Sequence, residues 1–287
     1  EEKEIETATS TYEPNVITIS FAGDCTLGSF SGQGGKLFHD YYDEYGSSWA
    51  FQGVKDVFEN DDLTFVNLEG PLTNQVQTAV KQFPIKGKPE YVNCLLDGDI
   101  EVCNLSNNHI YDCGGNIGLN DTIAILDENG IGHLGTRYDE NEHFVMVRKV
   151  GDIKLGMVCF TYDTRDSTGW DKSLNGIVMD DGAVNLVNSF CYPDLEELYN
   201  DVAKAMDEMN MLGVDSKIVF IHWGNEYTDD PNDYEYEIAQ EICELGADVI
   251  IGGHPHVIQK YDTLTSSKGH QTLCLYSMGN ELSNQRA

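Results

Sequence analysis

The sequence predicts an α/β fold with mixed sheets, and three observations support this prediction. Strand-like apolar runs alternate with helix-like segments along the chain, which is typical of a parallel sheet covered by helices. Residues 145–150 and 154–162 alternate around Gly151-Asp152, which indicates a hairpin and therefore some antiparallel pairing. Five apolar runs end in polar residues, and the carboxyl ends of strands are where such sheets place their sites.

The periodicity of the sequence assigns each element in turn. Residues 28–48 are rich in Gly and Tyr and are predicted to form a loop, as are the polar residues 72–88. Residues 163–192 are the least periodic stretch, and we expect an insertion or a lid there. The predicted strands are 16–22, 63–68, 100–105, 145–150, 154–162, 217–222, 247–252, 256–262 and 272–277, and the predicted helices are 51–58, 89–96, 119–129, 194–211 and 232–245.

Length and composition predict a single domain over residues 16–287. A chain of 287 residues has room for one large domain or two small ones, and no break in composition separates two parts. Residues 1–15 are polar and acidic, and we expect a disordered linker there. Such a linker remains when a secretion signal or membrane anchor is removed, although an ordinary frayed terminus has the same composition. No apolar run approaches the roughly 20 residues of a membrane span.

The charge balance restricts the partners of this chain. It has 17 Lys and Arg residues against 49 Asp and Glu residues, a net charge of −32. Such a surface repels nucleic acid and anionic membrane surfaces, so we exclude nucleic acid as a partner. A phosphate-like substrate would need a metal ion to offset the same negative field. The eight cysteines include no CxxC pair, and we expect mostly free thiols because a chain of this length needs no disulfide.

Candidate metal ligands stand at the ends of the apolar runs. The segment Gly252-Gly253-His254-Pro255-His256 follows one run and places two imidazoles one residue apart. Four further runs end in or lead into the other candidates, which are Asp24, Glu69, Asn108, His109 and His222. Each of these residues alone is more often structural than a ligand. Together they form a mixed set of oxygen and nitrogen donors that suits one or two divalent ions of Zn, Mn or Fe.

The order of these motifs and the residues within them resemble those of a known family. The segments are Phe21-Ala22-Gly23-Asp24, Asn67-Leu68-Glu69-Gly70-Pro71, Leu105-Ser106-Asn107-Asn108-His109, His222-Trp223-Gly224, Gly252-Gly253-His254-Pro255-His256 and Tyr276-Ser277-Met278-Gly279-Asn280. They are similar to the CapA-like proteins of poly-γ-glutamate capsule synthesis, among the calcineurin-like metallophosphoesterases. The resemblance covers nearly the whole chain and implies a four-layer α/β/β/α sandwich of two mixed sheets, as in metallo-dependent phosphatases.

The resemblance also implies roles for individual residues. The metal ligands are Glu69 as the bridging carboxylate, Asn108, His222 and His254 at one ion, and Asp24 and His256 at the other. The second ion lacks a ligand, because this chain has Thr26 where the phosphoesterases have His, and we expect the first ion to bind more tightly. His109 is the implied acid for the leaving group, and Asp112 either supports it or caps the following turn. The expected substrate contacts are Asn67, Asn107, Trp223 and Asn280.

The resemblance implies an extracellular, cell-surface protein of capsule or poly-γ-glutamate biosynthesis, anchored by an N-terminal segment outside this chain. We expect a metal-dependent hydrolase or transferase that acts on a phosphoester or amide bond of an anionic polymer such as poly-γ-glutamate. The absent ligand at Thr26 and the scarcity of Arg keep a second alternative open. This alternative is a non-catalytic export or anchoring subunit that joins membrane synthase subunits. An intracellular phosphoesterase is a third.

Overall fold

The computed structural model describes residues 16–29, 34–76, 83–164 and 171–284, and this part of the chain contains fourteen strands and six α-helices. The predicted linker over 1–15 lies outside the described residues, as do parts of the stretches 28–48, 72–88 and 163–192. The strands are β1 Ile19–Cys25, β2 Leu63–Leu68, β3 Val102–Asn104, β4 Gly132–Leu134, β5 Met146–Val150, β6 Ile153–Tyr162, β7 Ser173–Leu174, β8 Ile177–Val178, β9 Ser189–Phe190, β10 Ser216–His222, β11 Val249–Gly253, β12 Tyr261–Thr265, β13 Gln271–Leu275 and β14 Asn280–Leu282. The helices are α1 Phe38–Tyr45, α2 Lys55–Phe58, α3 Val92–Asp97, α4 Asn116–Glu128, α5 Leu195–Leu212 and α6 Asp233–Glu244.

The strands form two large sheets and the short hairpin β7–β8. The first sheet has the order β14-β1-β2-β3-β4, and all its described pairs are parallel. The second has the order β12-β13-β11-β10-β6-β5, with β9 also paired to β6. It is mixed, because β5–β6 and β12–β13 are antiparallel, which confirms the predicted hairpin. The expectation of two mixed sheets is wrong for the first sheet, because helical crossovers between its strands return the chain in the same direction each time.

The two sheets contact each other through an apolar cluster. The rings of Phe65 in β2 and Phe220 in β10 stack with their centroids 3.6 Å apart, and Phe21 of β1 packs against both. A second cluster joins the first sheet to α3 and α4, and a third joins the second sheet to α5 and α6. All six residues of strand β2 are therefore buried, because apolar clusters cover both faces of the strand. All eight cysteines are buried, and Cys25, Cys94, Cys103, Cys159, Cys243 and Cys274 are free thiols, in agreement with the expectation of mostly free thiols.

Helix α5 follows directly from its sequence pattern. Its buried side chains follow the pattern i, i+4, i+7, i+8, i+11, so one apolar stripe faces the second sheet; they are Leu198, Val202, Ala205, Met206 and Met209. The helix ends at Gly213, whose left-handed backbone (φ 63°) suits glycine at this position. The predicted helix over 194–211 is confirmed to within one residue at each end.

Among the described helices, none combines the length and the hydrophobicity of a membrane span.

Some elements differ from the sequence prediction. Helix α1 lies within the predicted loop 28–48, where aromatic and acidic residues hide the apolar stripe; its Tyr41 stacks on Trp49 with centroids 4.8 Å apart. The strands β4 and β14 are absent from the prediction, because three residues are too few to show a period of two. The strand predicted over 256–262 begins only at Tyr261, since His256 has φ 60°, which no extended strand adopts.

Helix α6 begins with a capping box that contains a buried carboxylate. The Asn232 side chain accepts hydrogen bonds from the backbone N–H groups of Tyr234 and Glu235. In return, Glu235 Oε2 accepts a hydrogen bond of 2.8 Å from the Asn232 N–H. The Glu235 side chain is fully buried, and its Oε1 has no hydrogen-bond partner among the described residues. Burial raises the pKa of this carboxyl to about 7.

We expect Glu235→Gln to reduce the loss of stability as the pH rises from 4.5 to about 7. The pKa of Glu235 is raised from 4.5 to about 7 by folding, so the folded protein binds one proton more than the unfolded chain between these values. The free energy of unfolding therefore falls as the pH rises from 4.5 to about 7. Gln keeps the acceptor for the Asn232 N–H but cannot ionise. Urea unfolding on both sides of this range should show a smaller loss in the variant than in the wild type, with exposed Glu237→Gln as the control. Equal losses in all three proteins would contradict the prediction.

Candidate metal centre

Strand register places a row of polar side chains across the first sheet. Asp24 in β1 pairs with Asn280 on one side and with Asn67 on the other, and Asn67 pairs with Asn104. Residues paired in this way project to the same face of a sheet. Accordingly, Asn67 Nδ2 donates to Asp24 Oδ1 (2.7 Å) and Asn104 Nδ2 donates to Asn67 Oδ1 (2.9 Å). Asn104 is part of this row but was not among the predicted site residues, because a single Asn at a strand end is no signal by itself.

The second sheet contributes the imidazoles of His222 and His254. His222 is the last residue of β10 and pairs with Gly253 of β11, so His254 follows immediately at the same sheet edge. The two rings lie with their centroids 4.8 Å apart. The backbone N–H of His254 donates to Asp24 Oδ2 at 3.1 Å, which joins the two sheets. A Cβ at Gly253 would lie 2.9 Å from Asp24 Oδ1, so glycine permits this approach.

Asp24, Glu69 and His256 converge on one buried point. Their ligand atoms all lie within 4.8 Å of one another. His256 Nδ1 is 3.2 Å from Asp24 Oδ2 and 2.8 Å from Asn280 Oδ1, and His256 Nε2 is 3.8 Å from Glu69 Oε1. Two carboxylates and an imidazole removed from solvent form a donor set that suits a divalent cation.

Asn108 and His222 form a second pair of candidate ligands beside this group. His222 Nε2 lies 3.0 Å from Asn108 Oδ1. Two adjacent ligands of an octahedral ion with bonds of about 2.1 Å are separated by about 3.0 Å, so one ion could contact both atoms. Asn108 Nδ2 donates to the Tyr162 hydroxyl (3.1 Å), and the Tyr162 ring lies 4.8 Å from the His254 ring. Tyr162 is a further residue that the sequence analysis did not identify.

Two buried polar atoms indicate that the cluster is incomplete without a ligand. Glu69 Oε1 and His254 Nδ1 have no hydrogen-bond partner among the described residues, although buried polar atoms are normally paired. Burial and the charge of Asp24 raise the pKa of Glu69. Burial lowers the pKa of His222 to about 3 and holds that of His254 well below its ordinary value. Both imidazoles are therefore neutral at neutral pH, which is the state that binds metals. The residues present fit a divalent cation.

Asp24 and His256 stabilise each other's charge. Burial acts to raise the pKa of Asp24, but the hydrogen bond with His256, the charge of His256 and the hydrogen bond from Asn67 outweigh it and hold the pKa below its ordinary value. Burial acts to lower the pKa of His256, but the contacts with Asp24 and Glu69 raise it to about 9. The two side chains therefore form a buried ion pair that hydrogen bonds support.

Thr26 stands at the position where the resemblance to the phosphoesterases implies a histidine ligand. Its hydroxyl donates to Glu69 Oε2 at 2.8 Å. This bond orients the carboxylate that the resemblance assigns as the bridging ligand. It also engages Oε2 and leaves Oε1 as the unpaired atom of the same carboxylate among the described residues.

His109 and Asp112 lie at the edge of the same cluster. His109 Nδ1 is 2.7 Å from Asp112 Oδ2, and the same oxygen accepts a hydrogen bond of 2.8 Å from the backbone N–H of Ile85. The other ring nitrogen, His109 Nε2, is 4.0 Å from Glu69 Oε1. Asp112 therefore fixes the orientation of the imidazole and directs Nε2 toward the carboxylate cluster.

The four expected substrate contacts have different surroundings. Asn107 is fully buried and donates to the Leu68 carbonyl at 2.8 Å, and Trp223 is fully buried with its indole N–H bonded to the Tyr276 carbonyl. Asn67 is engaged with Asp24, as described above. Asn280 is exposed beside His256. Substrate contact stays a prediction for all four, and their placement favours Asn280.

The structure also brings Glu226 to the cluster. Its carboxylate, together with ring nitrogens of His254 and His256, forms a group of potential ligands within 4.8 Å of one another. Glu226 is an exposed residue in the loop after β10 and one of 49 acidic residues. The sequence analysis missed it because nothing in the local pattern separates it from a solubilising carboxylate.

The fold and the cluster define an α/β protein with a candidate metal centre between the ends of two sheets. Residues 18–285 match the family described as bacterial capsule synthesis protein PGA_cap. The match covers most of the chain, and the chain belongs to this family.

Curated relatives agree with this assignment. The chain is 26% identical over 279 residues to the PGA biosynthesis protein CapA of Bacillus subtilis, covering 96% of this chain and 65% of that protein. It is 26% identical over 285 residues to the capsule biosynthesis protein CapA of Bacillus anthracis, covering 95% of this chain and 61% of that protein. A protein of Mycobacterium tuberculosis described as a "probable polyglutamine synthesis accessory protein" is 29% identical over 226 residues, 74% of this chain and 56% of that protein. The chain thus spans less than two thirds of the length of these relatives.

One solved structure that resembles the chain is the crystal structure of a hypothetical protein from Thermus thermophilus. The TM-score is 0.46 and the sequence identity is 14%. The match covers 83% of this chain and 72% of that one.

We expect His254→Ala to abolish binding of the more tightly held ion and Asp24→Asn, which keeps one oxygen acceptor, to weaken chiefly the other. The reason is the larger ligand set of the first site, with Asn108, His222 and His254 beside the shared Glu69. Elemental analysis after gel filtration measures the metal retained by each variant. His143→Ala is the matched control, because this imidazole is exposed and contacts Glu208 away from the cluster. Metal loss after Asp24→Asn with His254→Ala unaffected would contradict the assignment.

Proposed function

We propose that this chain is a metal-dependent protein of capsule or poly-γ-glutamate biosynthesis that cleaves or transfers a bond of an anionic polymer. The observation that carries the proposal is the convergence of Asp24, Glu69 and His256 beside the His109–Asp112 pair. Family membership and the names of the Bacillus relatives support the biological context.

The chain's own residues have distinct parts in the proposed reaction. Asp24, Glu69, Asn108, His222, His254 and His256 would hold one or two divalent ions of Mn, Zn or Fe. A bound ion supplies Lewis-acid chemistry at a phosphoryl or acyl oxygen. His109 donates a proton from Nε2 to the leaving oxygen or nitrogen. Asp112 holds the His109 ring through Nδ1, which keeps Nε2 directed at the cluster.

We further propose that residues 16–287 form one domain with the four-layer α/β/β/α sandwich of metallo-dependent phosphatases. The spatial order of the three apolar clusters supports this arrangement. One lies between helices and the first sheet, one between the two sheets, and one between the second sheet and α5 and α6.

The proposed protein acts outside the cell at the cell surface, held by an N-terminal segment that precedes this sequence. Its proposed partners are the polymer and membrane subunits of a synthase. The similarity to CapA proteins supports this placement.

A non-catalytic export or anchoring subunit is the second candidate function, and Thr26 favours it. The hydroxyl at this position contacts Glu69 and does not replace the metal-ligating imidazole that the resemblance to the phosphoesterases implies. Such a subunit would bind the polymer without cleaving it, so binding and cleavage have to be measured separately.

We expect the binding of poly-γ-glutamate to depend on metal. An oligomer titrated calorimetrically into protein loaded with Mn²⁺ should bind, and excess chelator should weaken binding by at least about tenfold, since ions offset the chain's negative field. Raising the salt concentration should have a moderate effect, because the contacts are made at a few buried groups. Equal affinity with and without chelator would contradict this account. Size-exclusion chromatography of the polymer then distinguishes the two candidate functions. An enzyme shortens the polymer, whereas a binding subunit leaves its length unchanged.

We expect His109→Gln to lower turnover by about 10²-fold or more while the metal content is unchanged. Gln cannot transfer a proton, but it occupies similar space and is not among the proposed ligands. Asp112→Asn should have a smaller effect of the same kind, because the His109 ring loses only its orientation. Elemental analysis serves as the control in both variants. Full activity of His109→Gln would remove His109 from the reaction.

A further inference from the structure

Glu226 lies beside the histidines of the segment His254-Pro255-His256. Its carboxylate and a ring nitrogen of each imidazole form one group within 4.8 Å. His256 also belongs to the group with Asp24 and Glu69. The imidazole of His256 is therefore shared by both groups, and together they hold one more carboxylate than the sequence motifs indicate.

Backbone hydrogen bonds fix the loop of Glu226 against the histidine segment. The Trp223 N–H donates to the Gly253 carbonyl at 3.1 Å, and the Tyr227 N–H donates to the Pro255 carbonyl at 2.8 Å. The Gln259 side chain donates to the Thr228 carbonyl at 3.0 Å. The chain is thus held on both sides of Glu226. The backbone from which the exposed Glu226 carboxylate extends is therefore fixed next to His254 and His256.

The backbone of this region is strained where the two segments meet. Tyr227, His254 and His256 have φ values of 60°, 96° and 60°, a region that side chains other than glycine rarely adopt. Strained residues of this kind concentrate at ligand sites, where the surrounding structure holds them. His254 Nδ1, which is buried and without a hydrogen-bond partner among the described residues, is a second sign that the group lacks a ligand.

We propose that Glu226 is a ligand of the metal centre and supplies the donor that Thr26 does not. This inference rests on the proposed metal dependence. The Thr26 hydroxyl is neutral and engaged with Glu69, whereas Glu226 brings a charged oxygen donor to the group that contains His256. A carboxylate in place of an imidazole makes the donor set harder. It therefore shifts the preference of the centre from Zn²⁺ toward Mn²⁺.

The test is a calorimetric titration of the 287-residue chain with Mn²⁺ and, separately, with Zn²⁺. We expect Glu226→Gln to weaken Mn²⁺ binding by at least about tenfold. Loss of a residue that only supports a metal ligand already weakens metal binding by about this factor, and loss of a ligand should weaken it at least as much. Asp229→Asn is the matched control, because it removes the same charge from an exposed position of the same loop. It should change the affinity by less than about twofold, as expected for a screened surface charge. Glu226→His should restore Zn²⁺ binding more than Mn²⁺ binding.

The outcomes separate this inference from the proposed function. Wild-type affinity in Glu226→Gln, together with weakened Mn²⁺ binding in Asp24→Asn, would overturn the role of Glu226 and leave the metal centre intact. Equal weakening by Glu226→Gln and Asp229→Asn would reduce Glu226 to a surface charge and overturn its role as well. A wild-type chain that binds neither ion would overturn the metal centre and with it both proposals.

Discussion

The buried carboxylate of Asp24 is the interaction on which the arrangement of the site depends. Its two oxygens accept hydrogen bonds from the Asn67 amide in the first sheet and the His254 N–H at the edge of the second, and pair with His256. A carboxylate without solvent is costly unless it is paired and hydrogen-bonded, so both sheets must keep their strand ends together to satisfy it. The same constraint keeps residues 230 positions apart in sequence within one cluster.

The parts of the fold with regular burial could be predicted from the sequence. Strand β2 and helix α5 are long enough to show their periods, and their predicted bounds agree with the structure to within one residue. The strands β4 and β14 have three residues each and are defined by pairing with β3 and β1, which a local pattern does not contain. The parallel character of the first sheet likewise follows from the crossovers between distant strands.

The site residues divide in the same way into those that the local sequence pattern identifies and those that depend on contacts between distant parts of the chain. The six predicted ligands meet because each stands at a strand end or within four residues after one, and the strand ends share an edge of the sheet. Asn104, Tyr162 and Glu226 were missed because their places depend on register and on the path of loops. Glu226 is the clearest case. Its sequence surroundings are those of a surface residue, and only the hydrogen bonds between its loop and the histidine segment place it beside the imidazoles.

Under the proposed function, the charge distribution favours the cluster as the point of contact for an anionic polymer. Among the described residues, Lys36, Lys55, Lys88, Lys172, Lys204 and Lys260 each form an ion pair with Glu or Asp. Basic side chains paired in this way exert little net attraction at a distance. A carboxylate-rich polymer would approach a chain of net charge −32 against repulsion, and cations held by Asp24, Glu69 and Glu226 would reverse the sign of the field locally. Polymer recognition and any chemistry at the polymer would then depend on the same ions. For this reason, the exposed carboxylate of Glu226 would affect the choice of ion and the strength of polymer binding together.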